Sequence, residues 1–324
     1  MAKKSKSTSR RILNVIPSSD QHKDWRRFEW TRQVVLSAII ALLPLSVAAW
    51  GDGGHMIVAR LAYDHLNAVA KKSADHLLAV AIKPFATTAK STNFVEASHW
   101  ADDVRPLGGF EFSADLHFVD YPFSSDNTPL PDDLPKPENI VRALREYVAV
   151  LKGNGDESEK AQALRFIIHF MGDIHQPLHC ASRVSKSLPD GDRGGNDFFI
   201  TTRDEEGTRR KTKLHSFWDG GLGTFPRMRA QFEPPPMDQI DAAADSIGQE
   251  FPFEDQEWRS ATSFAAWAKE SKKLAEQAVY KGLIERQEPS KQYVDNGVKI
   301  ARMRAAWAGY RLASLLNQIW PEHD

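Results

Sequence analysis

A mainly α-helical fold is predicted by three features of the chain. Apolar residues recur at helical spacing in segment after segment, strict alternation is confined to one short stretch, and no second composition regime follows Trp50. Together they predict a single α-helical domain over residues 50–324 with a small β-hairpin inserted into it. At 41% hydrophobic and 26% charged residues, the 324-residue chain has an ordinary globular composition and enough apolar material for a sizeable core.

The first 49 residues read differently. A basic flank, with arginine pairs at Arg10 and Arg11 and at Arg26 and Arg27, precedes an apolar run at residues 33–47 that is too short to span a bilayer comfortably. Val47 and Ala49 then occupy the −3 and −1 positions of a cleavage before Trp50. Residues 1–49 are therefore expected to be a signal peptide, its flank long enough to suggest a misassigned start; an uncleaved membrane anchor is the competing reading. Nine of the 42 basic and three of the 43 acidic residues precede Trp50, so a chain starting there carries 33 against 40, a formal −7. That balance argues against a nucleic-acid binder that relies on bulk positive charge. Cys180 is the single cysteine, which excludes an intrachain disulfide; a chain of this size needs no staple, although metals could supply one.

The elements follow in order. "GGHMIVARLAYDHL" places Met56, Val58, Leu61 and Ala62 near one face of a helix, and "NAVAKKSADHLLAVAI" continues in the same manner. "VEASHWADDVR" is a third candidate helix, and "LHFVDYP" reads as a strand or extended coil stopped by Pro122. A Pro/Asp-rich loop leads to a helix at "IVRALREYVAVL". "EKAQALRFIIHFMGDIHQPLH" is helical until Pro177 halts it. Alternation in "NDFFITT" followed by the polar "RDEEGT" predicts the hairpin, and "RMRAAWAGYRLASLLNQIW" is an amphipathic helix that should pack on the core.

The histidines carry the chemistry. His169 and Asp173 stand four apart, one turn along one helix face, and His215 and Asp219 repeat that spacing in "HSFWD". His179 follows the Pro177 break, while His55, Asp102 and His117 lie upstream. One such pair is usually a satisfied surface or core pair. Two pairs with further candidates favour a polynuclear zinc site, because neutral imidazoles and carboxylates are what Zn²⁺ takes when thiolates are missing.

The ordered set "WGDGGH", "WADD", "LHFVD", "HFMGDIHQPLH", "GGN" and "LHSFWD" resembles the trinuclear-zinc, single-strand-specific nucleases of fungi and plants, which also have bacterial members and share their fold with zinc-dependent phospholipase C. The resemblance runs from Trp50 to the C-terminal helix. It implies three Zn²⁺ ions: one held by Asp102, His117, His169 and Asp173; a second sharing Asp173 and adding His55 with the α-amino nitrogen and carbonyl oxygen of Trp50; a third held by His179, His215 and Asp219. Cleavage before Trp50 would thus create a ligand, since an α-amino group of pKa about 7.7–8.0 yields its proton readily to a metal near neutrality.

The same resemblance implies a secreted or periplasmic endonuclease. It would hydrolyse single-stranded DNA and RNA to 5′-phosphate products, with 3′-nucleotides as further substrates, through a hydroxide bridging the Asp173-linked zinc pair. Asp102 would orient that nucleophile and Arg105 contact the phosphate, unless Arg105 is a plain helix-surface residue. Phe118 would stack a base and Asp120 and Asn196 would meet its edge, although the interval from His179 to Asn196 is longer than in the fungal pattern and core packing competes for Phe118. His175 is read as hydrogen-bonding a ligand carboxylate, whereas His65, His76 and His99 are read as structural or exposed. A monomer without a stable protein partner, and without a membrane contact after cleavage, is expected. A zinc-dependent phospholipase C is the enzymatic alternative, and a secreted binding protein with structural zinc the non-enzymatic one. Three protein ligands at the third site leave a position open, which favours catalysis.

Overall fold

The computed structural model describes residues 50–82, 92–105, 110–204, 206–228 and 233–322. The expected signal peptide, residues 1–49, lies outside them. The described part is mainly α, as expected, with nine α-helices and four short strands. All of it belongs to one compact unit, Val47–Asp324.

Two helices form the centre. The first, α1 (Asp52–Asp64), is buried almost all round, from Gly53 to Ala59 and again at Leu61 and Ala62. The fifth, α5 (Glu157–Asp173), starts at Asp156, whose carboxylate accepts from the Glu159 amide at 2.8 Å, and is buried from Ala163 to its last residue. A helix enclosed on all sides must satisfy every polar side chain it carries. His55 on α1 and His169 and Asp173 on α5 are such side chains.

Around this pair lie α2 (Ala68–Ala79), capped by Asn67, and α4 (Ile140–Lys152), capped by Asn139. With α5 they enclose one apolar cluster that includes Leu78, Leu144, Phe166 and Phe170. A second cluster, with Met56, Phe198, Trp218 and Ile240, lies where α1 meets α6 (Leu214–Asp219) and α7 (Met237–Glu250). Each buried Leu or Phe contributes about 1.5–3 kcal/mol of transfer free energy. The last helix, α9 (Lys291–Ile319), lies across α1 so closely that a Cβ on Gly309 would stand 2.7 Å from that of Leu61.

The third candidate helix of the sequence is realised as a 3-10 turn, Glu96–His99, running into the short α3 (Trp100–Val104). The hairpin forms as expected: β3 (Phe199–Arg203) pairs antiparallel with β4 (Arg209–Lys213), Phe199 opposite Lys213. "LHFVDYP" begins in the end of a 3-10 turn, Glu111–Leu116, with His117 still helical in backbone, and Pro122 opens a strand instead of ending one. Proline is tolerated at a strand's first residue, and β1 (Pro122–Ser124) pairs in parallel with β2 (Ser182–Val184). Two helical segments that periodicity did not single out complete the shell: α7, and α8 (Phe264–Leu274), which runs on into a wide π turn, Ala275–Val279. Among the described residues no helix is long and apolar enough to cross a membrane. Cys180 is a buried free thiol.

Candidate metal centre

α5 ends at Asp173, one turn after His169, and both side chains are fully buried. The Asp173 carboxylate is surrounded by imidazoles. One oxygen lies 3.3 Å from His55 Nε2 and 3.7 Å from His179 Nδ1. The other lies 3.1 Å from His117 Nδ1 and 3.2 Å from His169 Nε2. Asp102, on α3, adds its own carboxylate 3.7 Å from His117 and 3.9 Å from His169. The His55 and His169 rings stack at 3.8 Å.

His117 reaches this cluster because of the parallel strand pair. Val119 donates to the His179 carbonyl at 2.8 Å and Ser182 to that of Tyr121 at 3.0 Å, so His117, just after one short 3-10 segment, is brought beside His179, within another. Pro177, at the start of the second segment, supplies a preset φ there. A second group forms from His179, His215 and Asp219. The two Nε2 atoms approach to 3.1 Å, and Asp219 lies 3.6 Å from His215 and 4.0 Å from His179.

Three triplets of ligand atoms thus converge within 4.8 Å: His55, Asp102 and His169; His117, His169 and Asp173; His179, His215 and Asp219. The first two share His169 and so lie side by side in one cluster. Several atoms in it are buried without a hydrogen-bond partner, among them both ring nitrogens of His55, His117 Nε2 and one oxygen each of Asp102 and Asp173. Orphaned donors and acceptors at this depth cost about 1–3 kcal/mol apiece. A cation among them removes that cost, and the donor set of imidazole and carboxylate fits one.

The electrostatics agree. Burial pushes the His55 imidazole down to about 4 and that of His215 to about 3, so both are neutral, ligand-ready bases at neutral pH. Burial opposes ionisation of Asp173 and Asp102, yet the surrounding imidazoles hold both below the ordinary carboxylate range. Asp219 goes the other way: burial raises it well above that range, against the opposing bond from Gln176. A nearby cation would reverse that.

Arg105 stands beside the cluster, its Nη1 3.3 Å from Asp102. Its side chain is largely buried there. Trp50 is fully buried; its indole donates to the Gly172 carbonyl at 2.9 Å, while the Gly51 amide donates to the Asp219 carbonyl at 3.0 Å. The chain after Trp50 is therefore fastened to both groups. Phe118 and Asp120 are half-buried. Burial and the neighbouring Asp192 lift the Asp120 carboxyl to about 6. Asn196 is nearly buried, its amide donating to the Arg193 carbonyl at 2.9 Å and its Oδ1 left without a partner.

The expectation for His175 requires correction. Its Nδ1 donates to the Met171 carbonyl at 2.8 Å and its Nε2 accepts from Arg311 at 3.0 Å, so it touches no ligand carboxylate. Two residues beyond Asp173 is about 200° round a helix, which turns the ring to the opposite side. Gln176 plays the anticipated part, donating to Asp219 Oδ1 at 2.7 Å. Asp192 was also missed. Buried, it accepts from the Arg183 and Gly195 amides and from the Tyr280 hydroxyl, and so fixes the "RGGN" turn. Of the remaining histidines, His99 pairs with Asp103, His76 with Glu157, and His65 stacks on Phe253.

Buried imidazoles and carboxylates converging in three groups on a helical scaffold form a donor set that could hold metal ions. A family model described as S1/P1 Nuclease matches residues 50–321, and the chain belongs to the S1/P1 nuclease family. It is similar to Endonuclease 2 of Arabidopsis thaliana, 27% identical over 290 residues that cover 85% of this chain and 92% of the relative. Endonuclease 3 of the same plant is 25% identical over 310 residues, 90% of this chain and 96% of the relative. Nuclease S1 of Aspergillus oryzae is 28% identical over 195 residues, 58% of this chain and 59% of the relative. The activity the family assigns is that of a metal-dependent nuclease.

Proposed function

We propose that this chain is an exported, zinc-dependent endonuclease that cleaves single-stranded DNA and RNA to 5′-phosphate products and also accepts 3′-nucleotides. The observation that carries the reading is the approach of His179 Nε2 to His215 Nε2 at 3.1 Å, with Nδ1 of each ring bonded to a backbone carbonyl. With their protons engaged there, two lone pairs face one another beside Asp219, an arrangement suited to a cation. The ligand allotment we propose is Asp102, His117, His169 and Asp173 for one zinc; Asp173, His55 and the freed Trp50 terminus for a second; His179, His215 and Asp219 for a third. Bound zinc supplies Lewis acidity toward phosphate oxygens and makes a water acidic near neutral pH.

The chain's own residues supply the remainder. Asp102, ionised and held beside Arg105, accepts the proton side of the attacking water and sets its direction. The Arg105 guanidinium offers planar donors to a phosphate. Phe118 gives an unpaired base a face to stack on, which a base inside a duplex cannot present. Asp120 and the unpartnered Oδ1 of Asn196 meet a base edge, which favours a nucleic acid over a phospholipid as substrate. The domain limits we propose are residues 1–49 as leader and 50–324 as the nuclease, a monomer free of the membrane once cut.

The test joins N-terminal sequencing of exported protein to zinc counting and digestion of matched single-stranded and duplex substrates. A start at Trp50, about three zincs and preferential single-strand cleavage are expected. Full activity with a different start would remove the amine ligand; equal cleavage of both substrates would remove the strand preference.

A further inference from the structure

A cavity of about 480 Å³ lies apart from the metal centre, between α4, α8 and α9, and shares no residue with the three ligand groups. Its size falls within the range of small-molecule sites. No carboxylate is among its lining residues, but three arginines are: Arg145, Arg259 and Arg311. Arg311, at the floor, is already engaged by Glu270 at 2.7 Å. Arg145 and Arg259 are not: among the described residues neither has an acidic partner at ion-pair distance. The Arg259 guanidinium is held over the Trp258 ring, 4.7 Å from its centroid, with its polar edge free. Ser263, at the N-terminus of the eleven-residue α8, also lines the cavity. Positive charge without compensation, in a chain whose body is net acidic, marks a place for an anion.

Apolar side chains also line the cavity. Phe264 is half-buried against Trp267, their rings 5.3 Å apart, with Leu315 beside them. Gln318 also lines the cavity, its amide donating to Ser314 Oγ at 3.2 Å. We infer that this cavity binds a nucleoside 5′-monophosphate group, its phosphate on Arg145 and Arg259 and its base against Phe264. The assignment rests on the nuclease reading only for the origin of such a group, which is either the freed mononucleotide or the 5′-phosphorylated end of a cut strand.

The experiment is calorimetric titration of the metal-loaded mature chain with adenosine 5′-monophosphate, beside adenosine and inorganic phosphate. Wild type should show one binding event at the metal centre and one at the cavity. The R145A/R259A double variant should lose the second event, or weaken it at least about tenfold, and R145K/R259K should restore most of it. Both positions are exposed, and an unchanged melting temperature would confirm an intact fold. Competition by a 5′-phosphorylated phosphorothioate strand, absent with its 5′-hydroxyl counterpart, assigns the strand end; its failure to compete assigns the free mononucleotide. Persistence of both events in R145A/R259A, or phosphate alone binding as tightly as the nucleotide, overturns the inference. Because the readout is binding, a chain that binds here yet cleaves nothing sinks the nuclease reading and spares this one.

Discussion

His179 and His215 hold their Nε2 atoms 3.1 Å apart while His179 Nδ1 bonds to the His117 carbonyl and His215 Nδ1 to that of Gly194, at 2.8 and 2.7 Å. Each ring is locked by a carbonyl from a different stretch of chain. These two bonds orient the rings so that their Nε2 atoms face each other.

Asp173 touches four imidazoles from four segments of the chain. Asp173→Asn keeps the shape and removes the charge, so turnover should vanish and more than one zinc should be lost. Metal counting after gel filtration checks this; loss of a single zinc with activity retained would show that the carboxylate is not shared.

Proton release should accompany loading. Burial lowers the His169 imidazole, but Asp173 and Asp102 more than reverse this and lift it to about 9. In the metal-free chain its contribution to folding is complete below the unfolded value of about 6.5 and lost as pH rises through 9. Zinc must displace that proton at pH 7, and its affinity should fall as pH falls. Binding heats measured in buffers of different ionisation enthalpy should report about one proton from this group at pH 7; heats independent of the buffer would contradict it.

Gln176→Ala removes the bond to Asp219 and should weaken zinc binding there by roughly 10–100-fold while sparing the other group. His175→Ala should instead lower Tm and leave zinc content alone, since its ring faces Arg311. Chelator competition and thermal melting separate the two outcomes.

A Cβ on Gly172 would lie 2.7 Å from His55 Nδ1. Gly172→Ala should displace the His55 ring, costing about 1–3 kcal/mol of stability and the zinc it shares with Asp173. A crystal structure with His55 unmoved would refute the expectation.

Phe118→Ala should raise KM on oligonucleotides several-fold with zinc content unchanged, base stacking on an aromatic ring being worth about 1–3 kcal/mol. A fall in zinc would mean that the ring shapes the shell of His117 instead.

Much of this was legible beforehand. The helical spacing of His169 with Asp173 and of His215 with Asp219 is local, and so is the alternation that marks the hairpin. What joins those pairs is not local. Strands of three residues carry no readable period, so the β1–β2 ladder that sets His117 beside His179 left no trace in the pattern. Closeness along the chain does not place His175 beside the clustered carboxylates, because about a helical half-turn separates it from Asp173 and its ring meets Arg311. The partner of Gln176 is 43 residues away, beyond the reach of any periodicity.

The final helix has one more consequence, for the order of events during synthesis. Every residue from His55 to Asp219 in the three groups is made before α9, yet α9 covers α1 through Gly309 and supplies the Arg304 that grips the His175 carbonyl. A growing polypeptide thus owns all of these imidazoles and carboxylates long before the scaffold that aligns them. Maturation must wait for the last thirty or so residues, and premature termination there should yield inactive material although none of the clustered side chains is missing.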